Sequence, residues 1–254
     1  MDLQRADEMF AFVERPSSSS LITGTWTTES DTTTAPVMLS TAAAQWELVI
    51  TRQRGELTVM VRGPEAEAAP APVPLDAEFF GIQFRLGTFL PGVDLRRLVG
   101  TGLALPTPTP RSFRLGGDDW ELPTPDNADV FVDRLLAAGL LVHDPVAAAV
   151  VAADAAADEV AQPGERPRLS SRSIERRVAR ATGLTRGTIR QIRRAERAVA
   201  LLSSGVAPLD VVHRLGYADQ PHLTRSLRRF VGTTPAQVVR APTPAGTPAT
   251  ASAP

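Results

Sequence analysis

The chain has 254 residues, of which 43% are apolar, and its acidic and basic residues nearly cancel to a formal net charge of −1. This length and apolar content suffice for one large or two modest domains with real cores. The absence of cysteine excludes disulfides, thiol nucleophiles and cysteine-ligated zinc or iron–sulfur sites. Because no stretch reaches 18 consecutive apolar residues and the N-terminus lacks a long apolar run, the sequence predicts a soluble, cytoplasmic protein.

The near-zero net charge hides two parts of opposite sign. Residues 1–164 carry a net charge of −12, whereas residues 165–240 carry +11, with 16 arginines against 5 acidic residues. Such an asymmetry indicates that a nucleic-acid-binding part is joined to a part with another role.

Strand patterns dominate residues 1–123. Trp46, Leu48 and Ile50 share one face of a segment that a turn at residues 52–55 joins to a second alternating segment, residues 56–61. A later segment with apolar residues at every second position gives the same signal. We therefore expect a β-rich domain of sandwich or barrel type in this part of the chain.

Two segments of this β-rich part are predicted to lie outside strands. The Pro/Ala/Glu-rich residues 64–74 are predicted as a surface loop. Asp118 and Asp119 follow Gly116 and Gly117 and are predicted as turn residues rather than as metal ligands or catalytic carboxylates.

Neither a metal site nor a catalytic set can be assembled in the β-rich part. The three histidines, His143, His213 and His222, all lie outside it, which excludes a histidine-based metal centre there. Its aromatic residues fit a core better than a ligand pocket, because alternating aromatic side chains are typical of buried strand faces; they are Trp46, Phe79, Phe80, Phe84, Phe89 and Trp120. No enzyme activity, cofactor or metal is predicted.

Residues 124–164 are predicted to connect the two parts through helices. One amphipathic helix follows Thr124 and Pro125, with Val130, Phe131 and Leu135 among its apolar residues. Asp144 and Pro145 open a second, Ala/Val-rich helix that runs through about residue 157. At the other end of the chain, residues 241–254 contain only Ala, Pro, Thr, Gly and Ser, and we expect a disordered tail.

The strongest signal is a pair of short helices near the C-terminus. Pro208 suits the first turn of a helix that ends before Gly216, with Leu209, Val212 and Leu215 on one face. Asp219 can then cap a second helix, residues 220–231, in which Leu223, Leu227 and Phe230 form an apolar stripe. Two short helices joined by a tight glycine turn fit a helix-turn-helix, although a plain helical hairpin with a solvated basic face has the same pattern.

The stretch GYADQPHLTRSLRRFVGTTP decides between these two interpretations. It resembles the C-terminal signature of AraC/XylS-type transcription regulators, and LSSRSIERRVARATGL resembles, in part, the recognition helix of their first helix-turn-helix. The resemblance covers about residues 170–239 and implies that the protein binds double-stranded DNA as an operator or promoter. It also implies two recognition helices, near residues 171–182 and 220–231, held in successive major-groove segments by a linker helix over residues 186–203.

The resemblance assigns contact residues to each recognition helix. In the second helix, base contacts are expected from four side chains, Gln220, His222, Thr224 and Arg225, and phosphate contacts from Arg228 and Arg229. In the first helix, the expected contact residues are Arg172, Glu175, Arg176 and Arg180. We call these two recognition helices the first and the second reader. The sequence before the first reader is interrupted by Pro163, Gly164 and Pro167, so we expect it to discriminate bases less than the second reader.

The sequence therefore predicts an α+β protein. A β-rich regulatory domain (1–123) and connecting helices (124–164) precede an all-α DNA-binding domain (165–240), in which a linker helix joins two helix-turn-helix units, and a tail (241–254). We expect a bacterial sequence-specific transcription regulator that uses neither cofactor nor metal and whose fragment 144–240 binds DNA alone. A small-molecule effector, a second copy of the chain and RNA polymerase are the further candidate partners. The alternatives are a nonspecific architectural DNA binder, driven by the +11 charge, and a metal-free β-barrel enzyme with an accessory basic domain.

Overall fold

The structure is a computed structural model that describes residues 4–5, 11–30, 37–157 and 171–240. Within these ranges the β-strands are β1 (Gln4–Arg5), β2 (Val13–Pro16), β3 (Ile22–Ser30), β4 (Val37–Ser40), β5 (Glu47–Gln53), β6 (Glu56–Arg62), β7 (Ala69–Pro72), β8 (Ala77–Phe84), β9 (Thr88–Phe89), β10 (Gly102–Leu105), β11 (Ser112–Leu115), β12 (Asp118–Glu121) and β13 (Val142–His143). The helices are α1 (Ala128–Ala137), α2 (Pro145–Ala157), α3 (Ser171–Thr182), α4 (Arg186–Ser203), α5 (Pro208–Leu215), α6 (Gln220–Phe230) and α7 (Pro235–Arg240), with a 3-10 helix at Leu95–Arg97.

The N-terminal part is built on a six-stranded antiparallel sheet with strand order β10-β6-β5-β8-β3-β2. Side chains at every second position of its strands are buried, as the alternation predicts; Ile50, Val59 and Ile82 are examples. Trp46 stacks on Phe84 with ring centroids 3.8 Å apart, and this pair lies at the centre of the buried face. The β-rich N-terminal part is thereby confirmed.

The predicted hairpin at residues 46–61 is present as β5 and β6. Its two-residue turn is Arg54-Gly55, with φ values of 49° and 85°, the left-handed conformations that a type I′ turn requires. The strands run further than predicted, since Arg52 and Gln53 pair with Leu57 and Glu56 instead of forming part of the loop.

The loop predicted at residues 64–74 is wrong, because β7 lies within it. This strand pairs with β4 in a second sheet of order β1-β4-β7, in which β7 is the edge strand. Proline lacks the N–H that a central strand must donate, so Pro70 and Pro72 argued against a strand, but an edge strand tolerates them. The turn assignment of Asp118 and Asp119 is also wrong: Gly116 and Gly117 make the turn, and both aspartates belong to β12.

Helix α1 does not start at the predicted capping pair Thr124-Pro125 but at Ala128, after Asn127, which makes no side-chain cap. The start of α2 is as predicted, and some buried faces differ from the prediction. Asp144 caps α2 by accepting from the amides of Val146 and Ala147, each at 3.0 Å. In α1, Val130 was expected in the apolar stripe but is 62% exposed. In α5, Leu209 was likewise expected to face inward but is 53% exposed, and Val211 is buried in its place.

The two parts of the chain share one core. Buried residues of the sheet, such as Ile82 and Phe84, belong to the same contiguous cluster as Leu95 of the 3-10 helix and Val178 of α3. The cluster continues into the C-terminal helices through Leu223. The acidic and basic parts of the sequence are therefore packed directly against each other.

Candidate nucleic-acid interface

The turn between α5 and α6 has the geometry that its sequence predicts. Gly216 ends α5 with φ 66°, a left-handed conformation that glycine adopts without strain. Three residues later, Asp219 caps α6 by accepting a 2.6 Å hydrogen bond from the amide of His222. The end of α5 and the start of α6 are therefore fixed, and the N-terminal turn of α6 is held in place.

Helix α6 separates an apolar face from a basic one. Leu223, Leu227 and Phe230 are buried against the rest of the domain. All six residues predicted to contact DNA lie on the remaining surface: Gln220, Arg225, Arg228 and Arg229 are exposed, and His222 and Thr224 are partly buried. The structure thus brings the predicted residues of the second reader together on one helix surface.

His222 is oriented by the turn that precedes it. Its Nδ1 accepts a 3.3 Å hydrogen bond from the amide of Ala218, and its ring meets that of Tyr217 edge to face with centroids 5.2 Å apart. A neutral imidazole that accepts at Nδ1 carries its proton on Nε2. His222 can therefore donate from Nε2 to a base acceptor such as N7 or O6 of guanine.

Arg194 of α4, which no sequence pattern singled out, supports the same turn. Its guanidinium lies 4.1 Å from the centroid of the Tyr217 ring, and Nη1 donates to the carbonyl of Gly216 at 3.4 Å. Tyr217 is buried and its hydroxyl lies 3.2 Å from that of Ser226 in α6. This stack links the linker helix to the second reader; no local pattern in the sequence pairs an arginine with a tyrosine 23 positions away.

In the first reader, α3, the apolar face forms as predicted. Ile174, Val178 and Ala181 are buried, and Gly183 ends the helix with φ 79°. The four predicted contact residues are exposed: Arg172, Glu175, Arg176 and Arg180. The predicted cap, Ser170, and the irregular segment with Pro163 and Pro167 lie outside the described residues.

Neighbouring elements hold two of these four side chains away from the centre of the outer face. Glu175 lies 4.0 Å from Arg186 of α4, and the guanidinium of Arg180 lies over the ring of Phe89 in β9, 5.0 Å from its centroid. Arg172 and Arg176 lie between these flanks and make no ion pair with another described residue. The unengaged part of the first reader thus comprises two arginines.

Two ion pairs join the elements around α3: one links α4 to α2, and the other links α3 to the start of α2. Arg186 pairs with Asp154 of α2 at 2.5 Å, and this hydrogen bond raises the pKa of the guanidinium. Arg177 donates to Asp144 at 2.9 Å. Partial burial works to raise the pKa of Asp144, but hydrogen bonds from the Ala147 amide and Arg177 hold it below its usual range.

The sequences of α3 and α6 align with each other at a spacing of 49 residues. Arg176 and Arg180 of α3 correspond to Arg225 and Arg229 of α6, and the capping Gly183 corresponds to Gly232. After each glycine a threonine, Thr185 or Thr234, caps the following helix. The equivalence identifies Arg176 and Arg225 as the matched arginines at the centre of each outer face.

The linker helix α4 joins these units. Its 18 residues span about 27 Å at 1.5 Å per residue, somewhat less than the 34 Å between successive major-groove segments. A groove of about 250 Å³ lies along it and is lined by Arg190, Arg194 and Arg197 together with Gly187, Gln191 and Leu215. The surface between the two readers is therefore basic as well.

Residues 165–241 match a family model described as a helix-turn-helix domain. No significant match was found among curated proteins or among solved structures. Among the described residues, no helix is long and apolar enough to span a membrane, and no group of three or more histidine, aspartate or glutamate side chains is arranged to hold a metal ion.

Proposed function

We propose that this chain reads a specific DNA sequence. Its residues 165–241 match an AraC-type helix-turn-helix domain, which indicates a DNA-binding transcription regulator. The observation that carries the proposal is the surface of α6. Its capped N-terminal turns present polar and basic side chains to solvent, while the opposite face is buried. A recognition helix needs this arrangement, because its N-terminal residues contact the base edges in the major groove.

Within α6, the first turns are proposed to read bases and the later turns to meet phosphate. Arg225 can donate two hydrogen bonds to O6 and N7 of guanine, and Gln220 can pair in bidentate fashion with adenine. His222 and Thr224 flank them and supply single hydrogen bonds. Arg228 and Arg229, one turn further on, are proposed to contact phosphate oxygens, which fix the register of the helix on the duplex.

The first reader is proposed to discriminate less. Arg172 and Arg176 are its unengaged basic side chains, whereas Glu175, which can accept from a cytosine amine, lies near Arg186. Arg180 is turned toward Phe89. A DNA footprint over two major-groove segments in which both halves are equally sequence-sensitive would contradict this assignment.

Selection of DNA from a random pool by the purified chain, followed by competition against random DNA at fixed salt, tests the proposal. We expect enrichment of one site and a specific affinity roughly 10³-fold or more above the nonspecific one. Equal affinity for all sequences would support the alternative of an architectural binder, which the net charge of +11 on residues 165–240 favours.

The N-terminal part is proposed to modulate DNA binding without contacting bases. A cleft of about 460 Å³ on its six-stranded sheet, lined by Phe80, Arg52, Glu29 and Glu78, is the proposed site for a small-molecule effector. A second copy of the chain and RNA polymerase are the other proposed partners. A ligand screen by thermal shift, with operator affinity measured for each hit, tests the effector proposal; ligands that stabilise the chain without changing operator affinity would argue against it.

A further inference from the structure

The N-terminal part contacts the two readers at equivalent positions. On the first reader, Arg180 lies over Phe89 of β9, and a Cβ atom on Gly183 would lie 2.7 Å from the carbonyl oxygen of Leu95. This separation leaves no room for a side chain, so the helix end is packed directly on the backbone of the 3-10 helix. The contact falls on the last turn and the glycine cap of α3.

On the second reader, the contact involves the corresponding turn and cap. The carboxylate of Glu67 lies 3.8 Å from the guanidinium of Arg229, and a Cβ atom on Gly232 would overlap Cδ2 of Leu39. Arg229 and Gly232 are the residues that stand 49 positions after Arg180 and Gly183. The N-terminal part therefore contacts both helices at their C-terminal ends.

Backbone hydrogen bonds also join the N-terminal part to the C-terminus of α6. The last carbonyls of a helix have no partner within it. Here the amide of Ala68 donates to the carbonyl of Arg229 and the amide of Ala42 donates to that of Phe230, both at 2.8 Å. The C-terminus of α6 is thus capped by the N-terminal part, whereas its N-terminal, base-reading turns remain exposed.

The two donor segments are themselves tied together. Ala43 and Glu65 exchange a pair of backbone hydrogen bonds of 3.0 and 2.8 Å. The carboxylate of Glu65 accepts from the hydroxyl of Ser40 at 2.6 Å and pairs with Arg62. Segments 39–43 and 65–68, which we call the clasp, therefore form a braced unit rather than two separate loops.

The N-terminal part also supports the first reader where the DNA-binding domain alone offers less. Helices α5, α6 and α7 all pack on the linker helix, whereas α3 packs on α2, on the 3-10 helix and on β9 besides its contact with α4. Part of the support that fixes the orientation of α3 therefore comes from the 3-10 helix and β9, which belong to the N-terminal part.

We propose that the N-terminal part is a splint that holds the two recognition helices at one separation and orientation, so that the protein accepts operators with one spacing between their half-sites. This inference rests on the proposed function. One inserted base pair moves a half-site by about 3.4 Å and rotates it by about 34° around the duplex. A splinted pair of readers cannot follow such a displacement, whereas a reader that the N-terminal part no longer holds can follow part of it.

Matched glycine substitutions in the full chain test the splint. Gly183→Ala and Gly205→Ala both place a side chain at a left-handed φ, 79° and 88°, and share that backbone strain. Only the alanine at 183 collides with the N-terminal part; a Cβ at 205 meets nothing within 4 Å.

The measured quantity is the affinity for the selected operator divided by that for the same operator with one base pair inserted between the half-sites. We expect this ratio to fall about tenfold in Gly183→Ala, a loss of about 1.4 kcal/mol of discrimination, and to stay near the wild-type value in Gly205→Ala. Equal ratios in the two variants would overturn the splint. If the wild-type chain showed no preference for any base, the proposed function would be overturned instead.

A second variant covers the case in which Gly183→Ala does not fold. Leu39→Ala removes the clasp side chain that meets Gly232 and leaves residues 165–240 unchanged. A fall in the same spacing ratio with unchanged preference at individual bases is expected. Retention of the full wild-type ratio by folded Leu39→Ala would count against the clasp as part of the splint.

Discussion

Replacing Arg225 by alanine is expected to relax base preference at one position of the operator. The side chain is exposed on the face of α6 opposite Leu223 and Leu227, and it makes no ion pair with another described residue. The substitution therefore leaves the fold almost unchanged, with an effect on the free energy of unfolding within about 0.5 kcal/mol. Its effect on DNA binding can then be interpreted directly.

The size of that effect follows from the bidentate geometry. Two hydrogen bonds from a guanidinium to one guanine contribute about 1–3 kcal/mol of discrimination, which corresponds to a 5- to 150-fold preference over the other bases. In Arg225→Ala this preference is expected to disappear at one base pair and to persist elsewhere. Because Arg176 occupies the equivalent position in the first reader, Arg176→Ala is the matched comparison, and we expect a smaller loss from it.

Fluorescence anisotropy against the operator and its complete set of single base-pair variants measures both substitutions. Arg111→Ala, an exposed arginine of the N-terminal part, serves as the charge control and is expected to leave all ratios unchanged. If Arg225→Ala weakened binding by the same factor on every DNA variant, Arg225 would contact phosphate and its assignment as a base reader would be refuted.

Three further expectations follow from the same surfaces. Arg228→Ala should reduce the slope of log affinity against log salt by about 0.9 without altering base preference, measured by titration at several salt concentrations. Asp144→Asn should destabilise the chain at pH 7, because folding lowers the pKa of this carboxyl below its ordinary value of 3.8; the difference in stability should shrink only as the pH falls below 3.8 and through the lowered pKa of the folded state, which acid unfolding curves of both proteins check. The fragment 144–240 should bind DNA without the acidic part, and its steep salt dependence should resemble that of the whole chain; a folded fragment that has lost base preference would show that reading extends into the N-terminal part.

The second reader was predictable because its signals are local. Pro208, Gly216 and Asp219 act within one turn of the positions that they define, and α5 has the predicted bounds while α6 ends one residue before the prediction. The inward face of α5 was less predictable. Leu209 continues the apolar pattern, but packing against α4 and α6 decides which side of so short a helix is buried, and it buries Val211.

Non-local pairing accounts for the remaining errors. Strand β7 exists because β4, thirty residues earlier, offers it a partner, and no pattern within a Pro/Ala-rich segment reveals that partner. The clasp was unpredictable for the same reason, since a backbone amide of Ala68 finds the carbonyl of Arg229 only in the folded chain. The register match of 49 residues between the readers was visible in the sequence, but the common neighbour of their helix ends was not.

These contacts bring the acidic and the basic part of the sequence next to each other. Carboxylates of the N-terminal part and of the connecting region meet the flanks of the readers, where Glu67 faces Arg229 and Asp144 faces Arg177. The Glu67–Arg229 pair is exposed on both sides and contributes little stability, whereas Asp144 is largely buried beside Arg177. The central arginines have no such partner among the described residues; they are Arg172, Arg176, Arg225 and Arg228. An acidic part packed beside a basic one therefore leaves these four arginines exposed, on the face of the two helices that we propose binds the duplex.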